Sequence, residues 1–284
     1  MIHELPLERR TLHGHFSRDL EPVVSVEPGD AVAFSCPNAG WRLESQELFE
    51  PRDRELDAGH ALVGPIEVRG ARAGQTLVVS VDHVRPGSWG ETFGDGRRFH
   101  WELDAGVGRG HGRVLPLRPF LGVLGMPPPE PGVHSTTPPR RFGGNIDCKE
   151  LVAGTTLFLP IPVKGARFSA GDGHALQADG EVSGTAIECP VERAVLTLDL
   201  RDDLPLELPL ARTADAWLSF GFHRDLDTAA DLALDGMLAL LAREHGLARA
   251  EALALASLLV DLRVTQVVNE VKGVHAMLAD DALR

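Results

Sequence analysis

The chain has 284 residues, 43% of them apolar and 24% charged, which suffices for one large domain or two modest ones built on a real core. Its formal net charge of -13, which no Lys/Arg run offsets, repels phosphate backbones and argues against nucleic acid as a partner. Three cysteines, Cys36, Cys148 and Cys189, are odd in number and form no CxxC, which argues against a disulfide framework and against a structural zinc built from thiolates.

Residues 1–10 carry charge and proline and lack an apolar run before a small-residue cleavage site, so no signal peptide is expected. The most apolar later stretch, residues 248–260, is broken by Glu251 and is too short to span a bilayer. A cytoplasmic protein with no membrane partner is expected.

Gly 30 and Pro 20 imply many turns and short strands. From the start, residues 22–26 and 31–35 read as strands around a Pro28-Gly29-Asp30 turn, and residues 66–68 and 76–81 repeat the strand, turn, strand form. Residues 85–115 hold eight glycines and little periodicity, and are expected to be a long irregular excursion, a lid or an interface arm. Residues 116–145, with Pro127-Pro128-Pro129 and Pro138-Pro139, read as a stiff connector. Strands return at 155–161, 184–189 and 194–200. Apolar residues then recur at helical spacing over 226–244, with His245-Gly246 as a stop, and an Ala-rich helix follows over 249–262. That second helix is so apolar that burial on most sides is expected, against the sheet or a second subunit. A short strand or turn is expected over 263–268. The expectation is an α+β fold, β-rich and barrel- or sandwich-like, with helices gathered near the C-terminus. A β-rich region over 1–125 and an α+β region over 126–284 would pack as one unit.

Three clusters carry candidate chemistry. Residues 171–181 hold Asp172, His174, Asp179 and Glu181 among small residues, and glycines there permit tight turns on which side chains converge. A His with carboxylates can ligate a divalent metal that polarises a carbonyl and activates water, while a spare carboxylate moves the proton. The same stretch also reads as a polar turn with solvated acids. Gly143-Gly144-Asn145-Ile146-Asp147 suits a loop whose amides approach a ligand, or simply a turn. His60 opens a segment that runs into a strand and also reads as structural. Together His60, Asp147 and His174 would supply two imidazoles and one carboxylate, leaving a coordination position for water. His13 and His15 would share one side of a strand and rank below them as a metal clip.

Other chemistries fit less well. No Gly-x-Ser-x-Gly elbow is present, nor Gly-x-Gly-x-x-Gly before a helix. Cys148-Lys149-Glu150 has the residue types of a nitrilase-like site, but neighbours in an extended strand point to opposite faces and would not converge.

Several stretches, taken with their order, resemble the acetamidase/formamidase family. They are His60 with Gly64-Pro65-Ile66 and Val68, then Gly70-Ala71; Gly143-Gly144-Asn145-Ile146-Asp147; residues 169–188, with Gly171-Asp172-Gly173-His174-Ala175, Gln177, Asp179-Gly180-Glu181 and Gly184-Thr185-Ala186-Ile187-Glu188; and a tail through Asn269 and Lys272-Gly273-Val274-His275-Ala276. The resemblance implies hydrolysis of formamide, acetamide or a similar small amide, with a divalent metal, in a homodimer or higher oligomer. On that footing His60, Asp147, His174 and Glu188 are the metal candidates, Glu181 is the general base, and Asp172 and Asn145 complete the catalytic set, Asp172 or Glu188 serving as an additional ligand or its support. Zn²⁺ suits the donors best, with Ca²⁺, Mg²⁺ or Mn²⁺ as alternatives as carboxylates accumulate. This chain is more compact than the family's long forms, so a shorter rim would alter which amides fit. A hydrolase of another C–N substrate and a non-catalytic metal- or sugar-binding β protein are the competing readings.

Overall fold

The computed structural model describes residues 1–283. Period-two patterning dominates it. Strand Val191–Arg201 buries Ala194, Leu196 and Leu198 and turns the intervening residues outward, as a half-buried strand should. It is flanked by Asp30–Cys36 and Thr76–Pro86, both antiparallel to it. These three lie within a nine-stranded sheet that runs from Ile2–Leu5 at one edge to Val260–Gln266 at the other. A second, eleven-stranded sheet is centred on Phe168–His174, which lies between Phe120–Gly125 on one side and Leu62–Val68 and Glu188–Cys189 on the other. The main core lies between the sheets. Val32, Phe34, Leu77 and Leu196 from the first meet Ile66, Leu121, Leu124 and Phe168 from the second.

Two helices come late in the chain. Helix α1 (Leu226–His245) starts at Asp225, whose carboxylate accepts from the Thr228 amide, and ends at Gly246 in the left-handed conformation. Its buried stripe, Ala229, Ala233, Met237, Leu238 and Leu241, packs on strands Ala216–His223 and Lys272–Ala279 in a second apolar cluster. Helix α2 (Arg249–Leu259) buries only Ala252 and Ala256, while Leu253 and Leu258 face outward, so the expected burial on most sides does not occur within one chain. It also stops short of 262, because the backbone turns extended at Val260 and continues as the edge strand Val260–Gln266.

Two further expectations are corrected. Residues 85–115 are no irregular excursion. Trp89–Gly94, Arg97–Asp104, Val107–Gly110 and Arg113–Pro116 form an antiparallel meander on the second sheet. The connecting turns use Asp95-Gly96, Ala105-Gly106 and His111-Gly112, all at positive φ, which is the chemistry of two-residue hairpin turns. The proline-rich segment contains the paired strands Phe120–Gly125 and Gly143–Asn145, with the irregular chain confined between them.

Candidate active site

The site is assembled by sheet register. In strand Phe168–His174 every residue is buried. His174 lies opposite Phe120 on one neighbour and Glu188 on the other, and Glu188 lies opposite Glu91 on the next strand. Side chains directly opposite one another share a face, so the register brings Glu91, Glu188 and His174 together. Asp172, two residues before His174, joins them, its Oδ2 lying 3.3 Å from His174 Nε2. Glu188 Oε2 lies 3.4 Å from the same nitrogen, while its Oε1 is held by the Ala186 amide at 2.8 Å.

Asp147 arrives from another direction. The chain leaves strand Gly143–Asn145, and the Ile146 and Asp147 amides both donate to the Gly122 carbonyl. Asn269 donates to Asp147 Oδ2 at 2.8 Å, leaving Oδ1 facing the cluster. Gly122 makes the convergence possible. A Cβ there would sit 2.5 Å from Asp172 Oδ2, 2.7 Å from Asp147 Oδ1 and 2.8 Å from His174 Cε1.

Gln177 sets the imidazole. Its amide nitrogen donates to the Asp147 carbonyl at 2.7 Å, so its carbonyl oxygen faces His174 Nδ1 at 2.9 Å and accepts that N–H. His174 therefore turns Nε2 toward Asp172 and Glu188, the nitrogen a metal would use once its proton is displaced. His60 holds its Nδ1 against Thr136 Oγ1 at 2.8 Å and lines the same cavity. Glu181, in the loop after the strand, closes another side.

All seven residues singled out in the sequence, Asn145, Asp147, Asp172, His174, Glu181, Glu188 and His60, line one cavity of about 410 Å³. Glu91, Phe93, Arg98, Asn38 and Asn269 line it too. Glu91 lies in a segment whose sparse periodicity predicts a loop, so the sequence does not mark it. Asn269 and Gln177 stood in recognised stretches, but nothing in their spacing marked them as holding Asp147 and His174. Arg98 pairs with Glu91 at 3.2 Å on the solvent side.

The electrostatics are those of crowded carboxylates. Burial pushes the Glu181 carboxyl up to about 7, helped by the charges of Glu188 and Asp172. Burial, with Glu181 beside it, raises Asp147 well above the usual range. Burial acts against Asp172 as well, but the His174 and His60 imidazoles outweigh it and hold that carboxyl low. His174 is raised, since Glu188 and Asp172 overcome its burial. Asn145 Oδ1, Asp147 Oδ1, Asp172 Oδ1, Glu181 Oε2 and Glu188 Oε2 are buried and have no hydrogen-bond partner among the described residues. Buried acceptors without donors are costly, and a bound cation would satisfy them. Asp172, His174 and Glu188 offer donor atoms within 4.8 Å of one another, as do Asp147, His174 and Glu181. The first set meets Nε2, whose proton a metal can displace, whereas Nδ1 is committed to Gln177, so the first fits a metal better.

The remaining imidazoles do other work. His13 Nδ1 donates to the His15 carbonyl and its Nε2 faces Ser169 Oγ, while His15 pairs with Asp57, so the two form no metal clip. The Cys148-Lys149-Glu150 trio does converge, against expectation, because that segment turns rather than extends. Glu150 lies 3.6 Å from Cys148 Sγ and 2.8 Å from Lys149 Nζ.

The model of the acetamidase/formamidase family matches residues 3–111 and 131–204, well over half of the chain. The chain belongs to the acetamidase/formamidase family, an amidase family. It is 24% identical to an acetamidase of Mycolicibacterium smegmatis over 60% of this chain and 61% of that protein. It is also 24% identical to a formamidase of Methylophilus methylotrophus, over 61% of this chain and 60% of that protein. The match thus spans about three fifths of these two relatives. Among solved structures, an acetamidase from Yersinia enterocolitica superimposes with a TM-score of 0.89 at 25% identity, covering 100% of this chain and 93% of that one.

Proposed function

We propose that this protein hydrolyses the C–N bond of a short aliphatic primary amide, formamide or acetamide, to the carboxylate and ammonia. The observation that carries this is the group of buried, partnerless carboxylate oxygens gathered around the His174 imidazole. The Asp172, His174 and Glu188 donors would hold a divalent metal, Zn²⁺ in preference to Ca²⁺, Mg²⁺ or Mn²⁺ because an imidazole joins the carboxylates, with Asp147 and His60 beside them. When bound, such an ion supplies Lewis acidity toward the amide carbonyl and the attacking water. Glu181 takes the proton from water and delivers it to the departing nitrogen, a task suited to a carboxyl raised by burial. Asn145, with an unpartnered Oδ1, orients the amide N–H₂.

A larger amide is the second reading. A cavity of about 410 Å³ lies in the range of roughly 300–1,000 Å³ that accommodates ligands of many atoms. A second copy would cover the outward face of α2, where Leu253 and Leu258 are exposed, and a monomer by sedimentation would refute that dimer. The three cysteines are unpaired and buried, which suits the reducing cytoplasm, and no helix among the described residues is long and apolar enough to cross a membrane.

The test is ammonia release from a panel of amides, with metal content measured on the same sample before and after chelation. His174→Ala is expected to lose bound metal and turnover together; retained metal with full turnover would sink the assignment. Glu181→Gln is expected to keep the metal and lose roughly 10²–10⁴ in rate, and a normal rate would remove Glu181 from proton transfer.

A further inference from the structure

A second cluster lies behind the first. Cys148, Glu150 and His275 are 1%, 3% and 0% exposed, and each offers one donor atom within 4.8 Å of the others. Glu150 divides its oxygens. Its Oε1 takes both nearby cations, Lys149 Nζ at 2.8 Å and Arg263 at 3.5 Å, and Lys149 continues to Asp179 at 2.6 Å. Its Oε2 faces Cys148 Sγ at 3.6 Å and His275 Nε2 at 3.9 Å. His275 is aimed by its other nitrogen, which bonds Thr265 Oγ1 at 2.8 Å, and its Nε2 has no hydrogen-bond partner among the described residues. A wholly buried imidazole nitrogen left bare beside a thiol and a carboxylate oxygen is costly unless something occupies the space between them.

We propose that Cys148, Glu150 and His275 form a second divalent-metal site, for Zn²⁺, separate from the Asp172/His174/Glu188 group. The donors are a thiolate, an imidazole and a carboxylate, each an established zinc ligand. Tetrahedral Zn²⁺ with bonds of about 2.0–2.3 Å spaces its donors by roughly 3.3–3.6 Å. The 3.6 Å sulfur–oxygen separation already meets that spacing, the 3.9 Å nitrogen–oxygen one must close by roughly half an ångström, and the sulfur–nitrogen pair lies within 4.8 Å. On binding, the Cys148 Sγ–H proton leaves to solvent and the thiolate pair forms the metal–sulfur bond, with no change of redox state. The thiolate and the carboxylate together neutralise Zn²⁺, while Lys149 and Arg263 hold Glu150 in place from the Oε1 side. The consequence is mechanical. Cys148 follows Asp147, and His275 lies on strand Lys272–Ala279, so the ion would pin the Asp147 loop to the far end of the nine-stranded sheet.

Cobalt reports on this site independently of any turnover. Bound Co²⁺ shows an intense near-ultraviolet sulfur-to-metal charge-transfer band only where a thiolate ligates it, and the Asp172/His174/Glu188 group contains none. The full chain would be stripped with chelator, titrated with Co²⁺ alone, and followed by absorption and metal analysis. The thiolate band is expected to saturate at one equivalent per chain, vanish in Cys148→Ser with loss of one equivalent, and persist in His174→Ala. His275→Gln, which keeps the thiol, is expected to weaken Co²⁺ binding at the band by at least tenfold. Absence of the band in the wild-type chain, or its survival in Cys148→Ser, would overturn the proposal, whether or not the protein hydrolyses amides.

Discussion

Gly122 is where the site is most sensitive to a single atom. Its backbone is not in the left-handed region, so alanine is conformationally acceptable there. The obstacle is space, since the new Cβ would lie 2.5 Å and 2.7 Å from the Asp172 and Asp147 carboxylate oxygens. These oxygens are buried against His174 and cannot retreat without separating. Gly122→Ala is therefore expected to stay folded, with a thermal midpoint within a few degrees of wild type, yet to lose metal and at least about tenfold in kcat, since sub-ångström misplacement of a catalytic group is costly. Full metal occupancy with unchanged kcat would show that the carboxylates have more room than the structure gives them. Nothing in the sequence flags Gly122. Its importance arises from the apposition of two strands and a loop distant in sequence, and a residue with no side chain leaves no pattern to read. Asp172 and His174 were more legible. They lie two apart within one strand and share a face, although Asp172 itself stands at φ +62 between two glycines, and the turn expected over the later part of the stretch is formed at Gly180-Glu181, both at positive φ.

At the scale of elements, the close approach of α1 to the sheet is enforced at Gly221. A Cβ on that strand residue would meet the Ala229 carbonyl oxygen at 2.0 Å and the Ala233 amide nitrogen at 2.6 Å, both helix backbone atoms with no freedom to swing aside. Beside it Ser219 Oγ donates to the Ala233 carbonyl at 2.6 Å, fixing the helix in its groove. Gly221→Ala should push the helix off its seat and cost roughly 1–3 kcal/mol, as overpacking does. Urea denaturation would measure it, and a loss below about 0.5 kcal/mol would mean that α1 slides freely over the strand. Why the helices were readable and the meander was not follows from the same physics. Helix α1 carries its whole signal within itself, an Asp cap, a 3.6-residue apolar stripe and a Gly stop. In the meander the alternation is thin. Strand Arg97–Asp104 buries only Trp101 and Leu103, its neighbours are glycine-rich, and the pairing that makes them strands comes from the rest of the sheet. For helix α2 the apolar composition implies cover by the sheet or by a second subunit, and within one chain only Ala252 and Ala256 are buried while its outer leucines are exposed, which leaves the second.

At the scale of the whole molecule, acid stability is set partly by a histidine outside the candidate site. His13 is fully buried and joins the N-terminal segment to the central strand of the second sheet, through Ser169 at 2.9 Å and the His15 carbonyl at 2.7 Å. Burial, against the smaller effect of the His15 carbonyl, lowers its pKa from 6.5 to about 3. The unfolded chain thus binds a proton that the folded chain refuses between those values. Stability from this group is complete above about pH 6.5 and falls as the pH drops toward 3, by up to about 1.4 kcal/mol per pH unit. Glu181, raised to about 7, acts in the opposite sense in the metal-free chain, since its folded form takes up the proton first. Comparison with a variant cancels that shared contribution. His13→Gln retains an N–H for the His15 carbonyl and an oxygen for the Ser169 hydroxyl but has nothing to titrate. Urea midpoints measured at half-unit steps from pH 7.5 to 4.5 are expected to fall more steeply below 6.5 in the wild type than in the variant, so that any advantage of the wild type at neutral pH shrinks with acidity. Parallel curves over that window would mean that His13 is protonated in the folded chain, with water or a rearranged Ser169 accepting its second N–H, and the N-terminal segment would then contribute nothing to the acid limb.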